Sequence, residues 1–230
     1  MIEQLHWDSE FFNLKIGKFE SQNLTLPLLR NLLEFKKKEN YNLIYLFTQT
    51  VEADAAEMLE NKHLYPVDEK VVFSKEVNEQ LSFPENIQLY SKPLGQYLLN
   101  LALLSGHKSR FKTDNRLNHK FESLYTLWIQ KSLTGEMADA VLIAQSENTI
   151  EGFVTLKKKE QHGQIGLIAV APEAQGKGIG SKLMQAADYW YWQNNLKTCS
   201  VVTQLKNTGA CKLYEKNGYR KETVELVFHV

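Results

Sequence analysis

The chain is poor in cysteine: Cys199 and Cys211 are two thiols in 230 residues. Two thiols cannot staple a domain of this length, and the usage fits a reduced, intracellular and hence cytoplasmic protein. Both cysteines are expected to be small packing residues. The six histidines are scattered, with none at ligand spacing to another His or Cys, so no metal site is expected. No apolar run approaches the ~20 residues of a membrane span. The opening stretch MIEQLHWDSEFF lacks the basic-then-apolar layout of a secretion signal. An excess of one charge is also missing, since Lys plus Arg and Asp plus Glu number 27 each. That excludes a global basic field, so neither nucleic acid nor membrane is an expected partner. Repeats and low-complexity segments are not visible.

What is present is an ordinary globular balance, 43% hydrophobic and 23% charged, with enough chain for one large or two small units. The first third alternates element types. NLKIGKFE reads as a strand and LPLLRNLLEFKKKEN as a helix, with Pro27 at its start and a lysine run at its end. YNLIYLFT, EADAAEMLENKH and KVVFSKEV read as strand, helix and strand. NEQLSFPEN has linker composition, which puts a boundary near residue 83. After it, IQLYS is a strand, LGQYLLNLALLSG a helix, HKSRFKTDNRLN a basic loop and KFESLYTLWIQKSL a helix. DAVLIAQ and TIEGFVTLKKK form a hairpin through SEN. GQIGLIAVAP, GIGSKLMQAADYWYWQNN, TCSVVTQL, NTGACKLYEKNG and ETVELVFHV complete an alternating series. The order β-α-α-β-β-β-α-β-α-β argues an α/β fold with a mixed sheet flanked by helices.

The stretch VAPEAQGKGIGSKL carries three glycines in five residues just before a helix, the setting in which backbone N–H groups hold a phosphate. The P-loop pattern fails, because Ala171 stands where its first glycine is needed and Gly178 follows the lysine. The dinucleotide pattern fails on spacing. A third pattern, Q/R-x-x-G-x-G/A, is met by Gln175, Gly178 and Gly180.

This stretch resembles the acetyl-coenzyme A loop of the GNAT N-acetyltransferases, and the element order resembles that superfamily too. The resemblance implies a GNAT fold over 84–230, with residues 1–83 an α/β region resembling an incomplete GNAT unit. It implies acetyl-CoA as co-substrate. Gln175, Gly176, Lys177, Gly178, Ile179, Gly180 and Ser181 are then the pyrophosphate loop. Ile168, Ala169 and Val170 pair with the pantetheine arm, and the Val170 N–H serves as oxyanion donor. Pro172 is expected to help splay the next strand away. In TQLKNTGACKLYEKNGY, Asn207 matches the family's cofactor contact. Tyr214 matches the phenol that protonates the leaving thiolate; its plainer reading is a packed core ring. The base that deprotonates the amine is unassigned: Glu173, Glu151 and Asp139 read as turn and hairpin residues, and a water chain is the expectation.

LHWDSEFFNLKIGKF, LALLSGHKSRFKTD and LYTLWIQKSL, with the cofactor segments, are similar to enzymes that acetylate the amino group of TDP-linked fucosamine. A nucleotide-linked amino sugar is therefore the expected acceptor. Arg110 and Arg116 would neutralise its diphosphate and Asp114 would bind a hydroxyl or the amine; the alternative is a solvated basic loop. Trp7, Phe11 and Phe12 stack on a base or, more simply, pack. Two rival functions stay open: the same chemistry on another amine, and a non-catalytic acyl-CoA-binding module. A homodimer is also open, since ELVFHV could pair with a second copy, or the N-terminal region could cover that edge.

Overall fold

The computed structural model describes residues 2–79, 82–146 and 149–230. Gln80 and Leu81 of the linker stretch, and Glu147 and Asn148 of the hairpin turn, lie outside the described residues. The N-terminal elements are β1 (Glu3–Gln4), α1 (His6–Phe12), β2 (Ile16–Leu24), α2 (Leu26–Lys38), β3 (Leu43–Val51), α3 (Ala53–Asn61) and β4 (Pro66–Glu76). Then come β5 (Ile87–Leu89), α4 (Gln96–Ser105), α5 (Arg110–Thr113), α6 (Phe121–Leu133), β6 (Ala140–Ser146), β7 (Thr149–Lys159) and β8 (His162–Val170). The chain closes with α7 (Ile179–Gln193), β9 (Thr198–Gln204), α8 (Thr208–Lys216) and β10 (Arg220–His229). The strands and long helices fall where periodicity puts them. The additions are the two-residue strand β1, the short helix α1 and the single turn α5, which folds part of the expected basic loop. Among the described residues no helix is long and apolar enough to cross a membrane.

All ten strands form one mixed sheet in the order β1-β2-β3-β10-β4-β9-β8-β7-β6-β5. Six neighbouring strands of it, β2-β3-β10-β4-β9-β8, read as a palindrome of two units. In one, β2 and β3 run parallel with α2 between them, and α3 and β4 follow. In the other, β8 and β9 run parallel with α7 between them, and α8 and β10 follow. Each unit places its last strand inside the other: β10 lies between β3 and β4, and β4 between β9 and β10, all antiparallel. A boundary near residue 83 thus separates two stretches of sequence, while the sheet and main core run through both. The N-terminal unit covers the edge beside ELVFHV, so that strand is internal.

The two units differ at the turn entering their first helix. Only Thr25 separates β2 from α2, where its side chain caps the Leu28 N–H and Pro27 opens the helix. Eight residues, Ala171 to Gly178, separate β8 from α7. Only the second unit has a loop long enough to wrap an anion.

Helix α7 covers one face of β6–β8, and α4 and α6 cover the other. A Cβ on Gly163 would meet the Tyr191 ring at 2.6 Å, so only hydrogen fits where α7 lies on β8. Lys75 of β4 reaches across the seam to α7, with Nζ 2.7 Å from Asp188 Oδ2 and 3.1 Å from the Asn217 carbonyl oxygen. Both side chains are largely buried, so each needs the other. Lys75→Met leaves Asp188 buried without a cation. It is expected to cost about 3–5 kcal/mol in urea denaturation, with much of the loss recovered in the Lys75→Met/Asp188→Asn double variant.

Candidate active site

Strands β8 and β9 pair only from His162↔Thr198 to Ile165↔Val201. Beyond that they part, leaving a slot between residues 166–170 and 202–204. The cause lies in the ladder on the other side of β8. Its register with β7 shifts between Val154↔Ile168 and Leu156↔Ile165, a bulge that bends the strand. There the Leu167 N–H turns out of the ladder and donates to Thr155 Oγ1 at 2.7 Å, in a buried bond. A Cβ on Gly166 would stand 2.8 Å from that oxygen. The parting begins at Gly166, six residues before Pro172, so the bulge, and not the expected proline, opens the slot.

Past the bulge, β8 pairs regularly with β7. Ala171 N–H donates to the Glu151 carbonyl oxygen at 2.8 Å, and Val170 stands opposite Gly152. By the alternation of an extended strand, the polar groups of Val170 and Ile168 point away from β7 into the slot, while Ala169 faces β7. Gln175 Nε2 donates to the Val170 carbonyl oxygen at 3.1 Å, which ties the loop back to the slot wall.

The loop is shaped by Gly176 at φ 77° and Gly178 at φ 82°, both left-handed, with open space where a Cβ would be. The constraint is backbone conformation. Gly180 has another reason: its Cβ would meet Leu213 at 3.1 Å, so it lets α8 approach α7. The first helical bond runs from Lys182 N–H to the Gly178 carbonyl oxygen. Among the described residues, the N–H groups of Gly176, Lys177, Gly178, Ile179, Gly180 and Ser181 have no acceptor, as expected of a helix start that faces an anion. Lys177 is exposed there. Ser181 Oγ accepts from Asn217 Nδ2 at 3.4 Å.

Across the slot, Asn207 ends the turn into α8, its Nδ2 directed to Thr203 Oγ1 at 3.4 Å. Tyr214 is 2% exposed, its ring against Phe73 and Tyr219. Its hydroxyl makes no hydrogen bond with the described residues, yet it is absent from the fully enclosed orphan oxygens, which include those of Tyr45 and Tyr191. The ring packs as a core residue while the oxygen reaches open space. Burial pushes its pKa well above the usual phenol value, so the group stays protonated and able to donate. Among the described residues, no cluster of His, Cys, Asp and Glu is arranged to hold a metal.

In the basic loop, read as either a diphosphate clamp or a solvated stretch, part of the charge is paired within the fold. Arg116 grips Asp114 in a two-point contact, Nε to Oδ1 at 3.0 Å and Nη2 to Oδ2 at 2.7 Å. His229 Nδ1 lies 2.5 Å from Asp114 Oδ2. Arg116 also donates to the His229 carbonyl oxygen at 3.3 Å. Asp114 and Arg116 are thus bonded to each other and to the last strand. Burial favours the neutral Asp114, but the bonds from Arg116 and His229 outweigh it and hold the carboxyl below its usual range. His229 is pulled down to about 4, by burial first, with Asp114 working against the shift.

Arg110 is in a different position. Its guanidinium lies over the rings of Phe111 at 4.5 Å, Tyr45 at 4.7 Å and Phe47 at 5.5 Å, and forms no ion pair with the described residues. Asp8 and Asp68 stand within electrostatic reach. Neither was singled out as a site residue, although Asp8 lies in the Trp7-Asp8-Ser9 stretch that carries the family resemblance. Ser9 has a structural job: Oγ accepts the Ile16 N–H at 3.0 Å and donates to the Leu5 carbonyl oxygen at 2.6 Å, fastening α1 to β2. Phe12 packs in the core, while Trp7 stacks on Phe11 at 4.9 Å and is 48% exposed. Of the carboxylates considered as bases, Asp139 is held by Lys157 and the Lys158 N–H, and Glu173 is exposed.

Because His229 titrates at about 4 in the fold and near 6.5 when unfolded, its contribution to stability is complete above pH 6.5. It is lost as pH falls through 4. At full size it is on the order of 3 kcal/mol, and the raised carboxyls of Asp8, Asp68 and Asp188 oppose it above their ordinary pKa of 3.8. The urea midpoint is expected to fall between pH 7 and 4.5, and to fall less in His229→Asn; equal falls in both proteins contradict the assignment.

Residues 107–219 match the model of the acetyltransferase (GNAT) family. A dTDP-fucosamine acetyltransferase of Escherichia coli is 30% identical over 128 residues, covering 55% of this chain and 54% of that protein. A spore coat polysaccharide biosynthesis protein of Bacillus subtilis is 25% identical over 134 residues, 58% of this chain and 46% of that protein. The chain thus aligns with about half the length of these relatives. Among solved structures, a conserved protein of unknown function from Staphylococcus epidermidis has TM-score 0.67 at 17% identity, covering 94% of this chain and 84% of that one. A tandem GNAT protein from the clavulanic acid biosynthesis pathway has TM-score 0.52 at 9% identity, covering 89% of this chain and 68% of that one. At these identities the likeness is one of fold.

Proposed function

Since residues 107–219 match the acetyltransferase (GNAT) family model, we propose that the protein is an acetyl-CoA-dependent N-acetyltransferase whose acceptor is the amino group of a nucleotide-linked sugar. The observation that carries the transferase reading is the slot between β8 and β9, opening toward a loop whose N–H groups lack acceptors. In this reading Gly176–Ser181 receive the pyrophosphate, with Lys177 a charged contact and Gln175 and Asn207 bracketing the arm. Ile168 and Val170 offer their slot-facing backbone groups to the pantetheine, beside Ala169. The Val170 N–H steadies the oxyanion as the amine nitrogen bonds to the acetyl carbon. The carbon–sulfur bond then breaks and Tyr214 protonates the departing sulfur. Holding both substrates in one cleft supplies much of the acceleration.

The sugar acceptor rests on resemblance: one relative acetylates dTDP-fucosamine and another is named for polysaccharide biosynthesis. Residues 1–83 serve, in this account, as a partial GNAT-like unit that completes the sheet and walls the acceptor side.

Thiol release from acetyl-CoA, measured against TDP- and UDP-linked amino sugars, the free sugars and peptides, tests the acceptor. Turnover with a nucleotide-linked amino sugar and none with the free sugar is expected; turnover with peptides alone contradicts the sugar reading. Tyr214→Phe is expected to lower kcat about 10²-fold or more while leaving acetyl-CoA affinity near wild type. Loss of affinity along with turnover would make Tyr214 a packing residue only.

A further inference from the structure

The groups around Arg110 form a buried polar cluster at the seam of the two units, drawn from distant parts of the chain. Asp8 comes from α1, Tyr45 from β3, Asp68 from β4, Arg110 from α5 and His229 from β10. Five buried polar atoms here make no hydrogen bond of good geometry: Tyr45 Oη, Asp68 Oδ1, Ser109 Oγ, Arg110 Nε and His229 Nε2, although Asp8 stands near Tyr45 and Tyr125 near Ser109. Such a concentration is costly in a finished core and is typical of a surface that awaits a polar ligand. Asp8, the second oxygen of Asp68 and the Arg110 terminal nitrogens are not enclosed; Asp8 stands within hydrogen-bond reach of Tyr45, and Asp68 of the Glu69 N–H. The open side of the cluster is therefore lined by charged atoms.

The charge selects the ligand. Asp114 is neutralised by Arg116, and His229 is neutral near pH 7. What remains is Arg110 and Lys206 against Asp8, Asp68 and Glu69, a site with one net negative charge that disfavours a diphosphate and favours a cation. The position fits the reacting end of an acceptor. Strand β4 borders β9, and the Leu205 N–H donates to the Glu69 carbonyl oxygen at 2.8 Å. Asp68 thus lies beside the open end of β9, one strand from the slot. On the other side, Tyr125 stacks with Trp128 at 5.8 Å, and Trp128 Nε1 stands 3.7 Å from where a Gly166 Cβ would be, at the bulge.

We propose that this cluster, and not the surface of the basic loop, receives the acceptor's ammonium group, and that Asp68 is the base that takes its proton. This rests on the acetyltransferase reading above. The balance is simple: Asp68 accepts one proton from the ammonium, the free amine nitrogen bonds to the acetyl carbon as the carbon–sulfur bond breaks, Tyr214 gives its proton to the departing sulfur, and the second nitrogen proton restores the Tyr214 phenol through solvent. Arg110, fixed on three aromatic rings, keeps two carboxylates close together without pairing either. The charged groups facing Asp68 are Lys206, Arg110 and Glu69. Burial, the largest influence, raises its pKa, and Lys206 and Arg110 work against that shift, which suits a group that must accept a proton. His229 is less suited, since burial lowers it to about 4 and its free nitrogen is enclosed.

The test has two arms on the full chain. In the first, protein with ¹³C-labelled aspartate carboxyls is titrated with ethanolammonium chloride or sodium chloride, with signals assigned through Asp68→Asn and Asp8→Asn. A saturable shift at Asp68 with ethanolammonium, absent with sodium, is expected. No shift, or the same shift with both salts, overturns the ammonium site. In the second, Asp68→Asn is assayed for thiol release with whichever amine the wild type acetylates. A fall in kcat of about 10²–10⁴-fold is expected, with unchanged acetyl-CoA affinity and a rate that climbs with hydroxide where the wild type levels off. Activity within twofold of wild type and an unaltered pH profile overturn the base assignment. Wild type that acetylates no amine defeats the transferase reading, while the carboxyl titration still decides the site.

Discussion

The parting of β8 from β9 after Ile165 is the constraint on which the rest of the site depends. A parallel pair at the centre of a sheet normally stays paired, because each unpaired N–H and C=O in the interior costs free energy. Here the loss is contained. One extra residue in β8 is absorbed by a bulge, and Thr155 accepts the N–H that the bulge would orphan. The strand beyond returns to register with β7 and turns its other edge to the slot. Gly166 permits this, since any side chain there would collide with the Thr155 oxygen.

Opening the sheet at its middle weakens it, and the interleaved strands compensate. β4 binds β9 along its whole length and is itself bound by β10, so the far wall of the slot is braced by a strand from the other unit. Lys75 extends that brace to α7 and α8 through Asp188 and the Asn217 carbonyl. The same interleaving brings Asp68 to the end of β9 and sets Arg110 between α1 and β4. One topological device thus holds the slot open and assembles the polar cluster beside it.

The local features were legible in the sequence because local rules make them. Period and capping placed nearly every helix and strand. The glycine spacing marked the loop, whose left-handed positions are a property of the residues themselves. Strand order was not legible: the pairing of β4 with β9 joins segments more than a hundred residues apart, and the two units share no visible repeat because only their path is shared. The basic loop misled for a similar reason. Charges in a polar stretch read as solvated, and nothing near Asp114 announces that its partner is His229, 115 positions away. Asp8 and Asp68 sit in ordinary surroundings in the sequence, and only the closed sheet brings them to one guanidinium.

The most direct measurement is amide hydrogen exchange, resolved by residue, with and without acetyl-CoA. The account predicts that Ile168 and Val170 on the slot edge, and Gly176 through Ser181 in the loop, gain protection on binding. Ala169, already turned toward β7, should change little. Protection that falls elsewhere, or that fails to distinguish Val170 from Ala169, would contradict the slot as the seat of the acetyl donor.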